Sequence, residues 1–237
     1  MKRLILLTLL TSSLSFPLEL YVAPKFMKWE EYESGQRLLR ERGFLLSGGV
    51  RFTRGMFKGG VEVYGGTLVY DGQTQAGEPV KTDTEYRGVS LWAGLRRETG
   101  GTMRLAGELL YHPELWVRDI KSTEKAIGYS ETWFFDTLDV GLELIHSQLG
   151  AYVMGKYRLF LRDAYMQASI EGIPQLRPKK GPAYELGIGL RRGSFGTELT
   201  YSYVKFRRSQ PKPYGSLLVL QPESVRETLS WRILLSF

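Results

Sequence analysis

The sequence predicts an all-β fold: a closed antiparallel transmembrane β-barrel of about ten strands, with eight or twelve as the neighbouring alternatives. Three observations predict it. Apolar and polar residues alternate in one segment after another, the period of a strand with one face on lipid and one on a lumen. The connections between these segments alternate between short and long. No apolar run in the chain reaches the ~20 residues of a spanning helix.

Composition agrees. The 237 residues include 13% aromatics, 27 Gly and only 10 Pro, the weighting of a β-rich chain. Neither Cys nor Asn occurs. Without Cys there is no disulfide, thiolate zinc site or cysteine nucleophile. Both missing residues are thermolabile, which points to a thermophilic source. The formal charge of +7 suits anionic partners such as lipid phosphates. It is too weak to argue for nucleic acid.

The N-terminus reads as a secretory signal. Lys2 and Arg3 form the charged region, Leu4 to Leu10 the apolar run, and Ser13-Leu14-Ser15 the small-residue cleavage site. Residues 1–15 are therefore expected to be a signal peptide and 16–237 the barrel, with a charge of +5 once Lys2 and Arg3 are subtracted from +7.

Strands are predicted near 18–32, 43–54, 58–71, 84–97, 102–118, 128–146, 149–163, 182–192, 195–208 and 224–237. In the second, Phe44, Leu46, Val50 and Phe52 oppose Ser47, Gly49, Arg51 and Thr53. In the fifth, Met103, Leu105, Leu109 and Tyr111 oppose Arg104, Ala106, Glu108 and His112. In the sixth, Val140, Leu142 and Leu144 oppose Asp139, Gly141 and Glu143. The seventh and eighth alternate likewise, placing Lys156, Arg158 and Arg162, then Glu185 and Arg191, opposite their apolar faces. Inner glycines relieve crowding in a narrow barrel. Turns at 54–57, 97–101, 147–148 and 192–194 are short, and loops at 34–42, 71–83, 119–127, 163–181 and 209–223 are longer. With an even strand count both termini lie on the short-turn, periplasmic side. Aromatics near strand ends, among them Trp29, Tyr86, Trp116, Trp133, Tyr184, Tyr201 and Tyr203, fit interfacial girdles.

The last strand carries a resemblance. Leu229, Trp231, Ile233, Leu235 and Phe237 share one face, Leu234 is the only misfit on the other, and the chain ends on Phe237. This resembles the C-terminal sorting signal of bacterial outer-membrane β-barrels. The resemblance implies recognition by the barrel-insertion machinery and an outer-membrane location in a Gram-negative cell. The stretch Tyr21 to Tyr32 and the YDGQTQ segment at Tyr70–Gln75 look like small, uncharacterised, porin-like members of that group, with no activity implied.

The lumen is expected to hold Arg51, Glu62, Arg104, Glu108, Glu143, Lys156, Arg158, Arg162, Glu185, Arg191, Glu198 and Arg232. Both signs are present, so the charges either pair into a plug or line a narrow pore. The loops carry Arg177, Lys179, Lys180, Arg207, Arg208 and Lys212, suited to lipopolysaccharide phosphates. There are two His. His146 lies beside a short turn. His112 faces inward without an evident partner of the omptin, deacylase or phospholipase type, so no enzymatic activity is expected. No metal, phosphate or other cofactor motif is present. The leading expectation is a structural barrel or a narrow pore for ions or small solutes. The alternative is an adhesin or receptor acting through its basic loops. A membrane-embedded hydrolase ranks third, and nothing in the sequence indicates an oligomeric state.

Overall fold

In a computed structural model, residues 18–73 and 77–237 are described. The expected signal peptide and the Thr74–Gln75 part of the YDGQTQ segment lie outside them. The strands are β1 (Leu18–Glu33), β2 (Gln36–Arg54), β3 (Phe57–Gln73), β4 (Pro79–Glu98), β5 (Met103–Ile120), β6 (Tyr129–His146), β7 (Ala151–Phe160), β8 (Tyr165–Ala168), β9 (Lys179–Arg192), β10 (Phe195–Arg207), β11 (Lys212–Tyr214), β12 (Leu217–Val219) and β13 (Glu223–Ser236).

Ten of these form the wall, in the order β5-β4-β3-β2-β1-β13-β10-β9-β7-β6, and β5 pairs with β6 to close it. All pairings are antiparallel, and the first and last strands meet where β1 lies against β13, with Leu20 opposite Leu235 and Trp29 opposite Arg226. Closure leaves no free edge, so the backbone polar groups of the wall satisfy one another. β8 extends the wall beyond β7 by pairing with β6, while β11 and β12 form a separate hairpin in the last loop.

The alternation sets two faces. Outside, Val22, Phe44, Leu46, Val63, Leu142 and Ile188 are among many exposed apolar side chains, Phe44 at 71%. A belt of this extent is incompatible with water and matches a lipid boundary. Inside lie Glu62, Glu108, Glu143, Arg158 and Glu198, all buried. Leu234, the misfit of the last strand, points inward and packs with Tyr21 and Ala23.

Close approaches build the inner face. The Tyr21 ring lies over Gly49, its directly paired neighbour, where a Cβ would sit 2.4 Å from the ring. Tyr64 covers Gly88, Trp92 covers Gly60 and Tyr152 covers Gly189 in the same way. Each glycine makes room for an aromatic ring from the adjacent strand.

The strands run further than the alternation alone indicates. β4 has 20 residues, about twice the ~9–11 that a tilted strand needs to cross a bilayer. The wall therefore projects beyond the belt at the long-loop end. There, the expected loop at 34–42 is instead a two-residue turn, with Ser34 at φ 51° and Gly35 at φ 80°. This is the left-handed pair of a tight hairpin, and β2 starts at Gln36. Polar residues mask the strand period in sequence: above the belt the outer face, with Arg40, meets water, while Glu41 is buried inside against Arg118.

Replacing Gly49 with Ala should force the Tyr21 ring aside and destabilise the barrel by about 1–3 kcal/mol, read as a lower denaturant midpoint in detergent. Gly107, with open space around its Cβ position, should tolerate Ala with little change.

Candidate functional site: the barrel lumen

The lumen is built in layers from the short-turn end upward. At the lower rim Arg51 pairs with Glu19 and reaches Glu198 at 3.4 Å, and Arg191 lies 3.6 Å from Glu19. Arg96 bonds Glu108 at 2.7 Å and also bridges to Glu143, while Lys58 pairs with Glu108. Above these, Lys25 pairs with Glu62, which also accepts from Tyr21 at 2.9 Å. Arg232 pairs with Glu198, which accepts from Tyr152 at 2.6 Å, and Lys156 lies 3.3 Å from Glu185.

The next layer holds two clusters. Arg226 donates to both oxygens of Glu114, at 2.7 and 2.8 Å, and Tyr64 donates to the same carboxylate at 2.8 Å. Beside it, Ser90 Oγ lies 2.6 Å from His112 Nε2, and His112 Nδ1 lies 2.8 Å from Asp139 Oδ2. Thr137 donates to the other Asp139 oxygen at 2.6 Å. Chemically, this is a serine, an imidazole and a carboxylate in hydrogen-bonded series.

An aromatic layer then crosses the barrel. Trp116 and Trp133 stack with ring centroids 5.4 Å apart, Trp29 meets Trp133 edge-on at 5.1 Å, and Phe206 lies 5.3 Å from Trp133. Phe135 and Phe160 complete it. These rings are buried. A cation closes each side: Arg226 lies 4.8 Å from the Trp116 ring and Arg118 5.4 Å from the Trp29 ring. On the upper side Arg118 bonds Glu31 at 2.8 Å, Glu41 at 2.9 Å and Glu131 at 2.8 Å. Trp29 and Trp133 donate their indole N–H groups to Glu31 and Glu131, each at 2.9 Å. Met166 and Leu176, from the β7–β9 connection, pack into the same cluster, with Ile173 and Val219 against it.

Below the aromatic layer remains a cavity of about 100 Å³, lined by residues from Arg51 and Arg191 up to His112 and Arg226. That is room for a few waters or a very small molecule. Among the described residues no group of three or more His, Asp or Glu is arranged to hold a metal ion.

Of the residues expected in the lumen, Arg51, Glu62, Glu143, Lys156, Arg158, Glu185, Arg191, Glu198 and Arg232 line this cavity. Glu108 is buried among its cations. Arg104 sits at the lower rim, paired with Glu98. Arg162 is not a lumen residue. The chain bends at 161–162, and its side chain, 59% exposed, bonds Asp136 and covers Phe134 on the outer face. Trp29, Trp116, Trp133 and Tyr86 do not form a girdle either, since they point inward and are buried. Tyr184 and Tyr203 do stack at 5.1 Å on the outer side. Among the basic loop residues, Lys212 is tied to the Gln175 carbonyl at 2.7 Å, Lys180 to that of Leu161 at 3.0 Å, and Arg208 to Glu33 at 3.2 Å. Arg177, Lys179 and Arg207 are exposed.

Sequence reasoning missed Lys25, Lys58, Arg96, Arg118, Glu131 and Arg226 as lumen charges. Parity holds the signal: Arg118 continues the face of Glu108 and His112, and Glu131 that of Asp139 and Glu143.

A closed ten-stranded wall with an apolar outer belt and an ion-paired interior defines this chain as a transmembrane β-barrel. No family model and no curated protein matches the sequence. Among solved structures, the chain is similar to Neisserial surface protein A, with 9% identity over 93% of this chain and 97% of that one and a TM-score of 0.41. It is similar to the attachment invasion locus protein Ail of Yersinia pestis, with 12% identity, 94% and 99% coverage and a TM-score of 0.41. It is also similar to an outer membrane channel from Pseudomonas putida F1, with 7% identity, 94% and 96% coverage and a TM-score of 0.47.

Removing Arg118 should leave Glu31, Glu41 and Glu131 buried without their shared cation. Arg118→Met is expected to cost about 3–5 kcal/mol, measured as loss of the folded, fast-migrating species at lower urea concentration than for the unaltered barrel.

Proposed function

We propose that the protein is an integral outer-membrane barrel with a closed lumen, which acts through its outer end and does not conduct solutes. The aromatic layer carries this reading. Its rings meet across the lumen, and each side is sealed by a cation bound to carboxylates. An ion that reached the cavity from below would still have to cross the aromatic layer, where the cations on either side are already paired. A signal peptide, insertion by the barrel machinery and a Gram-negative outer membrane fit this reading.

The projecting strands favour the same end as the working surface. Above the belt, Arg40, Arg42 and Lys81 lie around one shallow surface pocket with Asp71 and Val69, and Arg177, Lys179 and Arg207 are exposed nearer the tips. This basic rim suits the phosphates of lipopolysaccharide.

The refolded barrel in a planar bilayer should show no unitary current steps. A Trp116→Ala/Trp133→Ala barrel that still folds should acquire them. Steady steps from the unaltered protein would overturn the closed-lumen reading.

A further inference from the structure

The strands β4, β5 and β6 are consecutive in the wall, and each sends one residue of a series to the same point below the aromatic layer. Ser90, His112 and Asp139 are exposed by only 6%, 8% and 2%, yet all three line the cavity. The wall holds them rigidly, since His112 pairs with Thr137, and Asp139 with Leu110 and Arg158, in the strand ladders.

The direction of the series depends on the imidazole tautomer. Arg158 Nη2 lies 2.6 Å from Nδ1 and 3.3 Å from Nε2. A donor aligned with the Nδ1 lone pair would be far out of reach of Nε2, on the opposite side of the ring. The guanidinium therefore lies against the ring and is not in line with Nδ1. Asp139 Oδ2, at 2.8 Å from Nδ1, can only accept while ionised. Nδ1 thus carries the proton, and Nε2 offers its lone pair to the Ser90 hydroxyl 2.6 Å away.

We propose that Ser90 is an activated nucleophile, with His112 as its general base and Asp139 as the positioning residue, acting on short-chain carboxylic esters that enter from the short-turn side. Ser90 Oγ bonds to the carbonyl carbon while its proton passes to His112 Nε2. The carbonyl π pair moves onto oxygen, beside the Arg158 cation. The oxyanion then collapses, the ester C–O bond breaks, and the departing alcohol takes the proton from Nε2. Water attacks the acyl-serine by the same route, releasing the acid and restoring Ser90. The cavity of about 100 Å³ limits the acyl group to an acetyl-sized one.

The test uses the full folded barrel in detergent with methanesulfonyl fluoride, a reagent small enough for the cavity, and peptide mass mapping of the adduct. Ser90 should be sulfonylated and Ser230, which also lines the cavity, should not. His112→Gln should slow labelling at least about 100-fold, and Asp139→Asn should flatten its rise with pH. Folding of each variant is checked by heat-modifiable gel migration. Acetate release from ethyl acetate should follow the same order and vanish in Ser90→Ala. No adduct on the folded protein, equal labelling of Ser230, or undiminished labelling in His112→Gln would overturn the proposal.

Discussion

Every charge that points into the barrel has to find its opposite within the barrel, because lipid surrounds the wall along much of its length. That constraint organises the interior. Glu108 is held by Lys58 and Arg96, Glu114 by Arg226, and Glu198 by Arg51 and Arg232. A lone buried charge is costly, and a well-bonded pair offsets much of the desolvation. Lys58–Glu108, Arg226–Glu114 and Arg51–Glu198 join strands that the backbone ladders do not link directly, while Arg96–Glu108 and Arg232–Glu198 brace directly paired neighbours.

Charge alone does not fill the space. Trp29, Trp116, Trp133 and Phe206 occupy the level where the wall leaves the belt; carboxylates accept the indole N–H groups of Trp29 and Trp133, and arginines lie against the Trp29 and Trp116 rings. The result combines two interiors: a polar, ion-paired one below and an apolar one capped by Arg118 and its three carboxylates above. The cavity that holds Ser90 and His112 is what remains where the two meet.

Period-two alternation made the wall legible in sequence, since a lipid-facing strand must obey it along its membrane-crossing length. Ten wall strands follow from it, and Leu234 becomes intelligible as an inward residue packed on Tyr21. Four things were not legible. The extension of β2 to Gln36 was hidden because above the belt the outer face is polar and the inner face mixes Leu39 with the buried Glu41. The aromatics at strand ends all read as girdle, and only parity carried through the register separates Trp133 from Tyr184. Arg162 obeys the alternation and escapes it through a bend. The neighbours of His112 needed register too. Ser90 and Asp139 lie 22 and 27 residues away, and pairing across β4, β5 and β6 alone brings them together.

In the closed barrel proposed above, the aromatic layer separates two compartments of the lumen. The chain contains no Cys, so one can be introduced without background. Ser202 lines the cavity just below Val204 of the apolar cluster. In vesicles with a single barrel orientation, Ag⁺ should reach Ser202→Cys from the short-turn side and block its later labelling. Applied from the long-loop side, it should leave the thiol free. Protection from both sides at equal rates would mean a continuous path through the lumen, and the closed barrel would be wrong.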